Sequence, residues 1–276
     1  MKQPICLFDS GIGGLTVLKK LINKFPQENY IYLADLARVP FGDKTNEEIK
    51  IIANEIIEWL SRFNPKMIIM ACNTSSAVLY KQSLINYASA IPIYGMIEST
   101  ARFISNSTYD EVTIWATKLV VENNAYKKAI NNINPNIKVQ EIACPKLVPI
   151  IEDLSFNPEE KTKTISEYTK EILTSSKVLV LGCTHYPLIQ NDLKKLTNIE
   201  IIDPADCLVN EIEESLGKGL PQQAPTNLSL YTTAQFEKLT DAIKKIPSTD
   251  IIINTTGLDG TESTIEYGNF GNSLYI

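Results

Sequence analysis

The sequence holds a single histidine, His185, and its five cysteines form no CxxC pair. Structural zinc draws on closely spaced cysteine and histidine ligands, so no metal is expected. The cysteine count is odd, and the opening MKQPICLF runs straight into a strand pattern without an apolar leader. Both features argue against a disulfide framework and for reduced thiols in a cytoplasmic protein. No window approaches the roughly 18 consecutive apolar residues of a membrane helix, so no membrane association is expected. A basic stripe is missing as well. The net charge is −6, with the lysines scattered among glutamates, which argues against nucleic-acid binding. Neither GxGxxG nor a P-loop occurs.

What is present is enough chain, 276 residues with 44% hydrophobic content, for two domains of roughly 100–150 residues each. Short apolar runs alternate with amphipathic helical stretches. Strands are expected at 4–8, 30–33, 67–70, 91–94, 112–116, 139–142, 178–181 and 199–202. Helices are expected at 15–24, from Thr45 to about Phe63, after Ser75, and at 99–106, 123–131, 159–174, 187–196 and 205–216. Thr45-Asn46-Glu47-Glu48 has the spacing of a capping box. GKGLPQQAPTN, residues 217–227, reads as a linker. LSLYTT and DIIINTT read as strands around a helix at 234–245, before a tail of β-like or irregular character. Such alternation predicts an α/β fold of mainly parallel sheets flanked by helices.

Two stretches share one grammar. KMIIMACNTSSA has the strand Met67–Met70 followed by Cys72, Asn73 and Thr74. SKVLVLGCTHYPLI has the strand residues 178–181 followed by Gly182, Cys183, Thr184 and His185. A strand end beside a helix start gathers ligands and lowers thiol pKa values. A single cysteine there is as readily a small buried residue. Two in matched settings suggest a pair flanking one substrate carbon, one removing a proton and the other supplying one to the opposite face. That chemistry calls for no cofactor.

Further candidates surround the pair. Asp9-Ser10-Gly11-Ile12-Gly13-Gly14 follows the first strand and permits a tight turn, though a plain strand-to-helix turn reads equally well. Asp9 could orient an ammonium group or tune a thiol. His185, two residues after Cys183, suits proton handling. Asp35 and Glu152 read as solvated carboxylates on sequence grounds alone. Ser10, Asn73, Thr74, Thr184 and the backbone around Phe41-Gly42 could hold a carboxylate without an arginine.

FDSGIGGLTVL, ADLARVPFGDK, ACNTSSA, GMIEST, LGCTHYPLI and IIDPAD together resemble glutamate racemase, within the cofactor-independent aspartate/glutamate racemase superfamily. The resemblance covers about residues 5–210. It implies two α/β domains with the active site in the cleft between them, the first from 1–97 and 208–276 and the second from 98–207. Cys72 and Cys183 would be the catalytic acid/bases, acting on the D- and L-enantiomer respectively. Asp9, His185, Glu152 and Asp35 would assist. Ser10, Pro40, Phe41, Gly42, Asn73, Thr74, Thr117, Val120 and Thr184 would contact an acidic amino acid, and a homodimer would be usual.

One departure bears on the substrate. Relatives read ATxxTVxSxxY where this chain has Ala116-Thr117-Lys118-Leu119-Val120-Val121-Glu122-Asn123. Val120 replaces a substrate-holding threonine and Asn123 a serine, and Val for Thr removes a donor at similar volume. The chain is similar here to the aspartate racemases of cyanobacterial peptide biosynthesis. Aspartate is therefore the expected substrate, with glutamate as the alternative. A different reaction on the same scaffold, or a binding role without catalysis, would be the remaining readings.

Overall fold

The computed structural model describes residues 2–79, 91–152, 157–216, 227–234, 239, 241–242, 250–256 and 262–267. Eleven strands lie among them: β1 (Ile5–Asp9), β2 (Tyr30–Ala34), β3 (Met67–Met70), β4 (Ile93–Gly95), β5 (Glu111–Ala116), β6 (Lys138–Ala143), β7 (Val178–Gly182), β8 (Glu200–Ile202), β9 (Asn227–Thr232), β10 (Asp250–Thr256) and β11 (Glu262–Tyr267). They form a seven-stranded sheet, ordered β11-β10-β9-β2-β1-β3-β4, and a four-stranded sheet, ordered β6-β5-β7-β8. All pairings are parallel except that of β10 with β11. The expected α/β architecture, two mainly parallel sheets flanked by helices, is the one observed.

Both sheets are covered on both faces, and the strand sequences show why. Parallel strands buried on two sides read as unbroken apolar runs whose alternate residues enter different cores. In β1, Ile5 and Leu7 enter one apolar cluster while Cys6 and Phe8 enter another. Along β3, Met67 and Ile69 divide from Ile68 and Met70 in the same way. Val178 and Val180 of β7 face one core of the second sheet, and Leu179 and Leu181 the other.

Two helices join the sheets. Met96–Ser105 leaves β4 directly, with Met96 in a core of the first sheet and Ile97, Ala101 and Ile104 in a core of the second. Pro204–Leu216 places Leu208, Val209 and Ile212 against the first sheet and Cys207 against the second. Arg102 and Glu211 form an ion pair between these helices.

Several boundaries differ from expectation. The helix expected at 99–106 starts at Met96, and that expected at 159–174 stops at Thr169. The helix expected at 123–131 is Ala125–Ile133, and a further short helix, Lys118–Glu122, precedes it. Asn124, at φ 49°, breaks them in the left-handed region that asparagine tolerates. Residues 262–267 of the tail extend the first sheet as β11. The expected linker up to 226, and most of the helix at 234–245, lie outside the described residues. Among those residues no helix is long and apolar enough to cross a membrane.

The capping box forms as its spacing predicts. Thr45 Oγ1 accepts from the Glu48 N–H at 3.2 Å, and Glu48 Oε2 accepts from the Thr45 N–H at 2.8 Å, opening the helix Asn46–Ser61. Thr45→Ala is expected to lower the unfolding free energy by about 1 kcal/mol, and Thr45→Ser by much less. Urea denaturation of the three proteins measures the difference.

Candidate active site

Strand register brings the chemistry to one level. In the first sheet Phe8 pairs with Met70, so the chain leaves β1 at Asp9-Ser10 beside its exit from β3 at Ala71-Cys72. In the second, Ala116 pairs with both Ala143 and Gly182, so Thr117, Cys144 and Cys183 leave together. These carboxyl ends enclose a cavity of about 340 Å³, where open α/β sheets collect their ligands.

Of the candidate residues, Ser10, Pro40, Phe41, Gly42, Cys72, Asn73, Thr74, Thr117, Glu152, Cys183, Thr184 and His185 line this cavity. Asp9 lies behind the wall, fully buried. Two candidates lie elsewhere. Val120 is 0% exposed and belongs to an apolar core with Ala77, Ile97 and Tyr126, away from the cavity wall. Its helix begins at Lys118, and the third residue of that helix faces inward. Asp35 accepts from Arg38 Nε at 2.6 Å and from Thr233 Oγ1 at 2.8 Å, a buried structural ion pair outside the cavity.

Around Cys72, burial pushes the thiol up to about 11, and the Asp9 charge adds to the rise. The dipoles of Ser75 and Ser10 pull it back. Asp9 itself is held by the N–H groups of Gly11 at 3.1 Å and Gly14 at 3.0 Å, and by the Thr184 hydroxyl at 3.4 Å. Burial raises its carboxyl, against His185 and these donors. The glycines of this loop serve close approach. A Cβ on Gly14 would stand 2.5 Å from Asp9 Cβ, and one on Gly13 would stand 2.4 Å from Thr184 Oγ1 and 2.6 Å from His185 Nδ1. No side chain fits at either place, which gives the glycine-rich turn a specific reason.

Around Cys183 the partners differ. His185 Nδ1 stands 3.9 Å from the Cys183 sulfur, and His185 Nε2 stands 2.9 Å from Glu152 Oε1. Burial alone would lower the imidazole pKa. Cys183, Glu152 and Asp9 outweigh it and raise His185 to about 10. A proton-carrying histidine thus sits beside the second thiol, oriented by a carboxylate. Glu152, read as a solvated charge on sequence grounds, lines the cavity and meets His185.

Polar groups line the space between. The hydroxyls of Thr74 and Thr117 meet at 3.1 Å across the two sheets. The Asn73 Nδ2 is buried without a protein partner, a donor left for an incoming acceptor. Lys118, Asp43 and Cys144 also line the cavity, and sequence reasoning passed over all three. Cys144 follows β6 as Cys72 follows β3, but without amide or hydroxyl neighbours in sequence. Its thiol, raised by burial, contacts the Ile142 carbonyl at 3.6 Å. Among the described residues no group of three His, Cys, Asp or Glu is arranged to hold a metal.

Two outcomes follow from these electrostatics. The Asp9 charge raises Cys72, so Asp9→Asn is expected to speed iodoacetamide labelling of Cys72 at pH 9; slower labelling in peptide mass spectra would contradict the assignment. His185 is raised above its unfolded value, so the native state keeps a proton that the unfolded chain loses. That stabilisation is complete below about pH 6.5 and disappears as pH rises through about 10. Unfolding free energy is expected to fall across this window, and His185→Gln to flatten the fall.

Residues 13–212 match the family model Asp/Glu/Hydantoin racemase. Glutamate racemase 3 of Caldanaerobacter subterraneus subsp. tengcongensis is 38% identical over 217 residues, covering 76% of this chain and 78% of that protein. The glutamate racemase of Prochlorococcus marinus is 42% identical over 207 residues, covering 74% of this chain and 76% of its own. The crystal structure of glutamate racemase from Francisella tularensis with D-glutamate matches with a TM-score of 0.84 at 31% identity, over 94% of this chain and 98% of that one. With this agreement over most of its length, the chain belongs to the Asp/Glu/Hydantoin racemase family.

Proposed function

We propose that this protein is a glutamate racemase that exchanges the α-proton between two thiols, Cys72 and Cys183. The observation that carries the reading is that both cysteines, from different sheets, line one cavity with unpaired and hydroxylic donors between them. In the L-to-D direction the Cys183 thiolate removes the α-proton, and the Cys72 thiol delivers its own to the opposite face. The reverse direction exchanges the roles. Each turnover leaves one thiol protonated and the other not, so the two states interconvert before the next cycle. His185, held by Glu152, can take up or return a proton at the Cys183 sulfur. Asp9 and Ser10 set the field at Cys72.

The substrate choice departs from the expectation of aspartate. That expectation rested on Val120 and Asn123. Val120 packs in the core, and Asn123 exchanges hydrogen bonds with Asn46 at 2.8 and 3.2 Å; neither lines the cavity. The pocket argument for aspartate therefore lapses. The relatives named above are glutamate racemases, which supports glutamate.

Purified protein incubated with L-glutamate or L-aspartate, without added cofactor, is to be followed by chiral chromatography and by Cα–H exchange in deuterated water. Glutamate is expected to racemise at least about tenfold faster than aspartate. Cys72→Ala and Cys183→Ala should each lower racemisation by at least about 100-fold, the scale of positioned acid–base groups. Faster turnover of aspartate would overturn the substrate assignment. Near-native racemisation by either cysteine variant would overturn the mechanism.

A further inference from the structure

An asparagine amide can face a ligand in two ways. With its NH₂ outward it donates to a carboxylate; with its oxygen outward it repels one. Something behind Asn73 has to choose. The Tyr126 O–H donates to Asn73 Oδ1. That bond occupies the oxygen and leaves Nδ2 as the free end. Asn73 is only 2% exposed, its Nδ2 has no protein partner, and it lines the cavity.

Tyr126 is well placed to hold this orientation. It is fully buried, at the start of the helix Ala125–Ile133, and its own N–H donates to Glu141 Oε1 at 3.1 Å. Its ring lies against the backbone ahead of the second thiol, since a Cβ on Gly182 would stand 2.9 Å from Tyr126 Cε2. One phenol therefore touches the residue after Cys72 and the residue before Cys183, from the core side. Burial pushes the phenol well above its ordinary pKa, so it stays a donor throughout the working range.

We propose that Tyr126 is a positioning residue: it locks the Asn73 amide with its NH₂ toward the cavity and so makes Asn73 a donor to a carboxylate of the substrate. The proposal rests on the racemase reading above in that the ligand is an acidic amino acid. Tyr126 does not touch the substrate. It acts through Asn73, by occupying Oδ1 in the arrangement that leaves Nδ2 toward the cavity.

The test is a double-mutant cycle over wild type, Tyr126→Phe, Asn73→Ala and the double variant. Phe keeps the ring packing and removes only the donor. Tyr126→Phe is expected to raise KM for D-glutamate about tenfold, the scale of one lost hydrogen bond to a charged group, with kcat within about twofold. In the Asn73→Ala background the same change should leave KM within about twofold. An unchanged KM in Tyr126→Phe, or effects that multiply in the double variant as those of a merely structural tyrosine would, overturns the proposal. Side-chain amide spectra of ¹⁵N-asparagine-labelled wild type give a readout independent of any variant's folding. D-glutamate is expected to shift the Asn73 NH₂ pair, and an unmoved pair overturns the proposal. If the wild type racemises neither acid, the functional reading fails by itself; calorimetric Kd values for D-glutamate across the same four proteins then decide the role of Tyr126.

Discussion

One buried carboxylate ties the molecule together. Asp9 leaves the end of β1 in the first sheet and reaches the Thr184 hydroxyl of the second. Its charge raises Cys72 and also raises His185. Taking such a charge out of water is costly unless donors surround it. Here two backbone N–H groups supply them, and that of Gly14 comes from a position with no room for a Cβ beside Asp9. The same absence of side chains lets Gly13 lie against Thr184 and His185. A single turn thus brings the two sheets into contact at Thr184 and His185 and places a charge near the first thiol that also contributes at the histidine beside the second.

Much of this was legible because it is local. The apolar runs of β1, β3 and β7 carry their strand assignment in composition, since both faces are buried. The capping box at Thr45 depends on residues three apart. The two strand–cysteine units are visible because what ends a parallel strand is read directly along the chain, and register in the sheets then brings those ends to one level. Length and alternation were enough to expect two sheets, and the cavity between them follows from where parallel strands point.

The facing of helical residues was less legible. Val120 belongs to a helix that starts at Lys118, whereas the apolar pattern suggests a start near Asn123, on the far side of the Asn124 break. The resemblance places residue 120 at the substrate; as the third residue of this helix it faces the core. Asp35 lies outside the cavity for another reason. Its partners, Arg38 and Thr233, are 3 and 198 residues away, and the distant one has no signature in the local sequence. Tyr126 and Cys144 were missed in the same way, because a buried hydroxyl or thiol acquires its role only from what packs on it.

The two thiols are matched in sequence grammar yet unequal in surroundings. Cys72 faces a carboxylate and hydroxyl dipoles; Cys183 faces an imidazole backed by Glu152. For a racemase this inequality has no bearing on the balance of products. Mirror-image amino acids have equal free energies in water, so the overall equilibrium constant is one and kcat/KM must be equal in the two directions. What unequal surroundings can change is which protonation state of the free protein predominates, and hence how kcat and KM divide within each direction. A site with a high thiol pKa on one side and a proton-bearing histidine on the other separates binding from turnover differently for the two enantiomers. The Asn73 amide and the Thr74–Thr117 hydroxyls, proposed as the carboxylate donors, would then serve either one from the same place.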